Sequence, residues 1–172
     1  RKMRHKGYLY FITEAIMNKK LLKLPILTLI GGIILQIADY ITAFTLVKGT
    51  SEWTLEMGTT AFYIRLVLSI ISFVVIGIIL RRIYDRKTLV KSATLLVIYS
   101  IVILALEQIT QYLGIYSMII YWMYLPVEIF TIITSVLARA STAESINWTY
   151  AIPTLFAPYL FILFGKKSES GG

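Results

Sequence analysis

The sequence predicts an all-α fold: a polytopic membrane helical bundle of four to five transmembrane helices, preceded by an N-terminal amphipathic interfacial helix. Hydrophobic residues make up 58% of the 172 residues and charged residues only 15%. The charged residues are clustered, and apolar runs of about 20 residues lie between the clusters. Runs of that length can cross a hydrocarbon core of about 30 Å as α-helices.

Two basic clusters flank these runs and predict the orientation. Of the 17 Lys and Arg residues, seven lie in residues 1–23 and five in residues 81–91. Because basic residues mark cytoplasmic loops, we expect a multi-pass cell-membrane protein with a cytoplasmic N-terminus. The expected partners are the lipid bilayer and its anionic head groups, with no nucleic acid. The head-group contacts are assigned to four side chains: Arg81, Arg82, Arg86 and Lys87.

The chain divides into three parts. Residues 1–23 form the basic amphipathic helix, with Tyr8, Phe11 and Ile12 on one face. Such a helix is typical of a membrane-surface anchor, and the alternative is a docking helix for a partner. Residues 24–165 form the transmembrane bundle, and residues 166–172 form a polar tail.

Five apolar segments are predicted within the bundle, at residues 24–47, 60–80, 92–113, 118–138 and 148–164. The last is the shortest and contains Pro153 and Pro158. We favour a fifth crossing, which would place Lys166 outside; a re-entrant or interfacial segment would keep it inside. Similar stretches around Asp39 and Glu107 suggest two related helical hairpins, although a chance match among Ile-rich segments explains them equally simply.

Four ionisable residues interrupt the apolar segments: Asp39, Arg65, Glu107 and Glu128. Counting 1.5 Å per residue places the first three at similar depth, so Arg65 is predicted to bridge Asp39 and Glu107. Glu128 is predicted nearer the middle, without a basic partner. Buried charges of this kind either fix helix packing or form a proton or cation site. The remaining alternative is exposure at the outer interface.

Other polar and aromatic residues near these charges are candidates to line a pocket. The candidates are Gln36, Gln108, Gln111, Tyr112 and Trp122. Aromatic residues at this level are typical of an interfacial belt, and a cage for an organic cation is the alternative.

The residue inventory argues against several kinds of chemistry. The chain has no Cys and a single His, His5, and it lacks a zinc-protease motif, a nucleophile elbow and a glycine-rich phosphate loop. We therefore expect no enzyme, cofactor or metal. The favoured function is a proton- or cation-linked transporter or channel-like protein that uses intramembrane carboxylates. The alternative is a non-catalytic accessory, scaffold or sensor subunit, and the small size predicts a homo-oligomer or membership of a larger complex.

Overall fold

A computed structural model describes residues 19–50, 52–115, 118–141 and 148–166. These residues confirm the predicted all-α helical bundle. The predicted interfacial helix lies mostly outside the described residues, as does the polar tail apart from Lys166.

The first three elements are long, uninterrupted helices. They are α1 (Lys19–Val47), α2 (Leu55–Ile83) and α3 (Arg86–Tyr112), of 29, 29 and 27 residues. Each is apolar enough and long enough to cross a membrane. They run alternately up and down, and the loop at residues 84–85 joins α2 to α3.

The helices extend beyond the predicted boundaries at 24, 60, 80 and 92. An apolar run marks only the part suited to hydrocarbon, whereas a helix continues until a cap ends it. At the start of α2 the cap is Thr54, whose Oγ1 accepts a hydrogen bond from the Met57 amide at 3.2 Å. Because α1 begins at Lys19, residues 19–23, predicted as the end of the interfacial helix, are continuous with the first predicted crossing.

The two ends of the bundle differ in charge. The basic end contains the start of α1 and the loop between α2 and α3, with exposed Arg81 and Arg82. The Tyr84 hydroxyl donates a hydrogen bond to the Lys20 carbonyl there, which ties the loop to α1. The far end contains the loop between α1 and α2 and the last turn of α3.

The stretch that follows α3 forms a re-entrant hairpin. Its arms are α4 (Met118–Met123) and α5 (Glu128–Ala140), and a 3-10 turn, Leu125–Val127, forms the tip. The tip lies against the middle of α1, where a Cβ atom on Gly32 would overlap the Leu125 carbonyl oxygen. The last turn of α5 is back at the far end: the Arg139 guanidinium lies 4.0 Å from the centroid of the Phe62 ring, in the first third of α2.

The hairpin corrects the predicted fourth crossing at residues 118–138. By length and composition alone Met118–Ala140 is long and apolar enough to be a span. Its contacts, however, place both its start and its end at the far end of the bundle. Arg139 therefore lies at the far end, away from the basic cluster at residues 81–91. Pro126 supplies the physical reason, because proline lacks an amide donor and its ring disrupts a continuous helix.

The last segment crosses the bundle from the far end to the basic end. It consists of a 3-10 turn (Trp148–Ala151), α6 (Ile152–Phe156) and a longer 3-10 helix (Ala157–Phe164). Tyr150 and Ser141 share a 2.5 Å hydroxyl contact near its start. At its end the Lys166 amide donates to the Tyr84 carbonyl at 3.3 Å. Since a 3-10 helix rises about 2.0 Å per residue, these 17 residues extend for about 30 Å.

This path bears on the two alternatives for residues 148–164, a fifth crossing and a re-entrant or interfacial segment. The segment runs from the far end of the bundle to the basic end, as a fifth crossing would, and it is preceded by a hairpin that turns back to the far end. Its crossing of a membrane stays a prediction. Lys166 consequently lies beside the basic loop, so its predicted position on the opposite side is wrong.

Aromatic packing holds the last segment in the bundle. Phe161 is fully buried and stacks on Phe73 of α2 with ring centroids 4.6 Å apart. It also meets Phe130 of α5 edge-on at 5.8 Å. A Cβ on Gly77 would lie 2.6 Å from the Phe164 ring, so this glycine allows the last segment to approach α2 closely.

Candidate functional site: a polar cavity within the re-entrant hairpin

An ion-paired triad joins three helices beside the hairpin tip. Arg65 of α2 contacts Asp39 of α1 at 2.9 Å and Glu128 of α5. It also donates a hydrogen bond to the Thr131 hydroxyl at 3.0 Å. The side chain of Glu128 is only 9% exposed, against 27% for each of the other two. A buried group of this kind is strongly destabilised when one partner is removed, because the remaining charge stays desolvated.

The triad corrects two predictions, the second acidic partner of Arg65 and the lack of a basic partner for Glu128. Arg65 does contact Asp39, but its second acidic partner is Glu128 and not Glu107. Glu128 is therefore not without a basic partner. The prediction failed because residues were counted along a straight fourth helix, whereas the chain turns at Leu125–Val127 and places Glu128 on the first turn of the returning arm.

Glu107 of α3 has a different environment. Its carboxylate accepts a hydrogen bond from the Tyr124 hydroxyl at 2.5 Å and one from the Gln111 amide at 3.3 Å. Among the described residues it has no Lys or Arg within ion-pairing distance. Among Asp39, Glu107 and Glu128, it is thus the carboxyl group without an ion-pair partner in the described residues.

The two acidic groups face the same cavity. It has a volume of about 360 Å³ and lies between the arms of the hairpin, bordered also by α3 and the last segment and open on one side. Arg65, Glu107 and Glu128 supply its charged groups. Hydroxyl groups supply most of the remaining polar lining: Ser100, Tyr121, Tyr124, Thr131, Thr134, Ser135 and Thr154.

Several contacts hold this wall in place. Gln36 of α1 donates a hydrogen bond to the Tyr121 hydroxyl, and the Tyr99 hydroxyl donates to the Met123 carbonyl at 2.7 Å. Thr134 and Thr154 share a hydroxyl contact of 2.6 Å that connects α5 with α6. Most of the cavity lining therefore comes from residues 118–141 and 148–166. The long helices support this lining and add four residues to it: Arg65, Ser100, Leu104 and Glu107.

The predicted pocket-lining residues are only partly at the cavity. Gln111 lines an adjoining cavity of about 170 Å³, which shares Glu107, Tyr121 and Tyr124 with the main one. Gln36 acts through Tyr121 and lines neither cavity. The other three are exposed away from both, with Tyr112 at 91% exposure; they are Gln108, Tyr112 and Trp122.

The hydroxyl lining was missed by the sequence analysis, although a signal existed. Thr131, Thr134 and Ser135 follow Glu128 by three, six and seven residues. This is the spacing of one helical face, so a polar face on α5 can be read from the sequence. Single Ser and Thr residues are common in apolar helices, so their presence alone does not indicate a cavity.

The predicted head-group residues are exposed at the basic end. Arg81, Arg82, Arg86 and Lys87 all have high exposure, and Arg86 additionally donates to the Gly165 carbonyl at 3.3 Å. Their contact with anionic lipid stays a prediction. Just beside them, a hydrogen bond from the Thr88 side chain lowers the pKa of the partly exposed Asp85 carboxyl.

The described residues contain no group of three or more His, Cys, Asp or Glu side chains that could hold a metal ion. Comparison with protein-family models, with curated proteins and with solved structures found no match to this chain.

Proposed function

We propose that this protein is a small proton- or cation-linked transporter that exchanges its ion at Glu107, inside the hairpin cavity. The observation that carries the proposal is the position of Glu107 on the cavity wall, without a cationic partner among the described residues. A charge in such a place costs several kcal/mol unless a proton, a cation or water compensates it. A carboxylate that binds and releases an ion needs such a compensating proton or cation.

The backbone of the hairpin supports the same function. Non-helical backbone is tolerated at membrane depth where protein buries it or where it faces a water-filled cavity. Transporters commonly form their binding sites from interrupted helices near the bilayer midplane. The tip at Leu125–Val127 lies against the middle of α1 and directly borders the cavity through Val127.

The charge balance favours a positively charged solute or ion. Three carboxylates, from Asp39, Glu107 and Glu128, are opposed by the single guanidinium of Arg65. A bound proton or monovalent cation reduces this negative excess, whereas an anion increases it. The triad fixes Arg65 on its two acids, and this leaves Glu107 as the exchangeable group.

Tyr124 connects ion binding to the hairpin. It directly follows α4, the first arm of the hairpin, and its hydroxyl donates a hydrogen bond to the Glu107 carboxylate. A proton or cation on the carboxylate weakens that hydrogen bond, because the acceptor loses its negative charge. Loading of Glu107 would thereby weaken one of the contacts between the hairpin and α3, and unloading would restore it.

Ion flux in vesicles tests the proposal. The purified chain is reconstituted with a trapped pH-sensitive dye, and gradients of Na⁺, K⁺ or tetramethylammonium are imposed in turn. We expect the cation that is coupled to protons to change the internal pH. Glu107→Gln should abolish this change, and Tyr124→Phe should slow it.

Glu56→Gln is the matched control, since Glu56 is exposed on the first turn of α2 and outside the cavity. Full flux in a folded Glu107→Gln variant would refute the role of Glu107. Absence of flux in the natural chain, together with a stoichiometric partner retained on gentle purification, would assign the accessory role instead.

A further inference from the structure

The hairpin cavity is larger than a proton or a bare metal ion requires. Its volume of about 360 Å³ lies within the range of about 300–1,000 Å³ that is usual for small-molecule sites, whereas one water molecule occupies about 30 Å³ in the liquid. On α3 the lining extends from Ser100 to Glu107, a distance of about 10 Å along the helix. The cavity therefore has room for a short organic molecule beside the Glu107 carboxylate.

Several hydroxyl groups of the lining use their hydrogens within the protein. Ser100 and Thr131 each donate to a backbone carbonyl of their own helix at 2.8 Å. Tyr124 donates to Glu107 at 2.5 Å. Because a hydroxyl has one hydrogen and two lone pairs, these three groups retain only acceptor capacity. The Arg65 nitrogens that form the triad are occupied as well, so a solute in the cavity meets mainly acceptors.

A cation that carries hydrogens suits such a lining. A protonated primary amine has three N–H donors, which satisfy the Glu107 carboxylate and hydroxyl oxygens together. A quaternary ammonium ion has the same charge but no donor. A cage of aromatic rings, by contrast, binds quaternary ions well, so the two kinds of site differ in which cation they prefer.

The remaining lining is apolar and lies close to the carboxylate. Leu104 precedes Glu107 by three residues, so it lies on the same face of α3, one turn nearer the basic end. Val127 of the hairpin tip and Leu155 of the last segment border the same cavity. This combination of one acidic group with an apolar wall is suited to an amine that carries a short alkyl chain.

We propose that the solute of this site is a small protonated primary amine, with its ammonium group on Glu107 and its alkyl chain against Leu104 and Leu155. The inference rests on the proposed role of Glu107 as the ion-binding group, and it narrows the cation to one chemical class. The ammonium group then supplies the positive charge that compensates Glu107.

Equilibrium binding of two isomeric cations to the purified full chain in detergent tests the inference. n-Butylammonium and tetramethylammonium have the same atoms and the same charge, but only the first has N–H donors. We expect n-butylammonium to bind at least about tenfold more tightly, because hydrogen bonds to a charged acceptor are strong. Isothermal titration calorimetry at neutral pH, where both ions are charged, measures both affinities without any membrane flux.

Glu107→Gln should weaken n-butylammonium binding by about tenfold or more, because the amide carries no negative charge. Glutamine keeps an oxygen that can accept from Tyr124, so this variant is expected to fold. Glu56→Gln lies outside the cavity and should bind like the natural chain. Uptake of the amine by the detergent micelle would be the same for all three proteins.

A series of alkyl chains tests the apolar wall. From methylammonium to n-butylammonium, the affinity should rise by about fourfold for each methylene that the cavity buries. An affinity that does not rise with chain length would overturn the placement of the chain against Leu104 and Leu155.

Equal affinity for the two isomers would overturn the amine assignment, as would binding that Glu107→Gln leaves unchanged. Absence of n-butylammonium binding while Na⁺ or K⁺ flux persists in vesicles would also overturn it, but the proposed transport function would then stand. Binding that depends on Glu107, without Glu107-dependent flux of any cation, the amine included, would support the amine site and refute transport.

Discussion

The two halves of this molecule use the helix differently. The first half, up to residue 112, contains three long uninterrupted helices, whereas short α-helical and 3-10 pieces alternate in residues 118–141 and 148–166. Both halves are strongly apolar, yet the polar cavity takes most of its lining from the second half. Regular helices satisfy their own backbone and can face lipid on all sides, but interrupted backbone has to be buried or hydrated. The interruption itself therefore creates a place for polar side chains.

The largest expected effect comes from cutting the ionic connection between the halves. Arg65→Met leaves Asp39 and Glu128 unpaired in a largely buried site, which should cost about 3–5 kcal/mol of unfolding free energy. The triple variant Asp39→Asn/Arg65→Met/Glu128→Gln should recover much of this loss, because no charge then remains unpaired. Denaturant unfolding in micelles measures both.

Arg81→Met, at the exposed end of α2, is the control and should change the unfolding free energy by about 0.5 kcal/mol or less. Similar losses for Arg65→Met and Arg81→Met would mean that the triad does not connect the two halves.

A smaller effect is expected where the hairpin tip meets α1. Gly32→Ala places a methyl group into the Leu125 carbonyl, and overpacking of this kind costs about 1–3 kcal/mol. Gly58→Ala is the comparison, since its added Cβ meets only the flexible Trp53 side chain at 3.3 Å. Thermal unfolding in detergent should separate the two variants. Equal stability would show that the tip is not seated on Gly32.

The smallest expected effect is the pH dependence of unfolding that comes from Tyr84, in the loop between α2 and α3. Burial raises the pKa of Tyr84 to about 12, so the folded protein favours the neutral phenol that bonds to Lys20. This contribution to stability is complete below pH 10, the usual pKa of tyrosine, and is lost as the pH rises through about 12. Unfolding of the natural chain should therefore become easier over that range by more than unfolding of Tyr84→Phe. Parallel pH profiles would contradict this.

The same contrast explains what could be predicted from sequence. The fold class and the three long helices follow from apolar runs and basic clusters, since length and charge suffice for regular helices. The contact of Arg65 with Asp39 also follows, because both residues lie on straight helices where depth can be counted. Depth cannot be counted along the chain beyond Pro126, because the chain turns back there. The predicted positions of Glu128, Arg139 and Lys166 were therefore wrong. A proline in an apolar run indicates an interruption, but whether the chain bends or reverses depends on tertiary contacts such as that with Gly32.

The 3-10 helix at Ala157–Phe164 restricts which insertions and deletions this part of the sequence can accept. With three residues per turn, side chains three apart stand in straight rows. The row of Pro158, Phe161 and Phe164 faces the bundle, whereas Leu160 and Leu163 are 46% and 75% exposed. A deletion of one residue before this helix would rotate every row by about 120° and turn the phenylalanines away from the core. A deletion of three would keep the rows and shorten the helix by one turn. This segment can therefore change length only in steps of three.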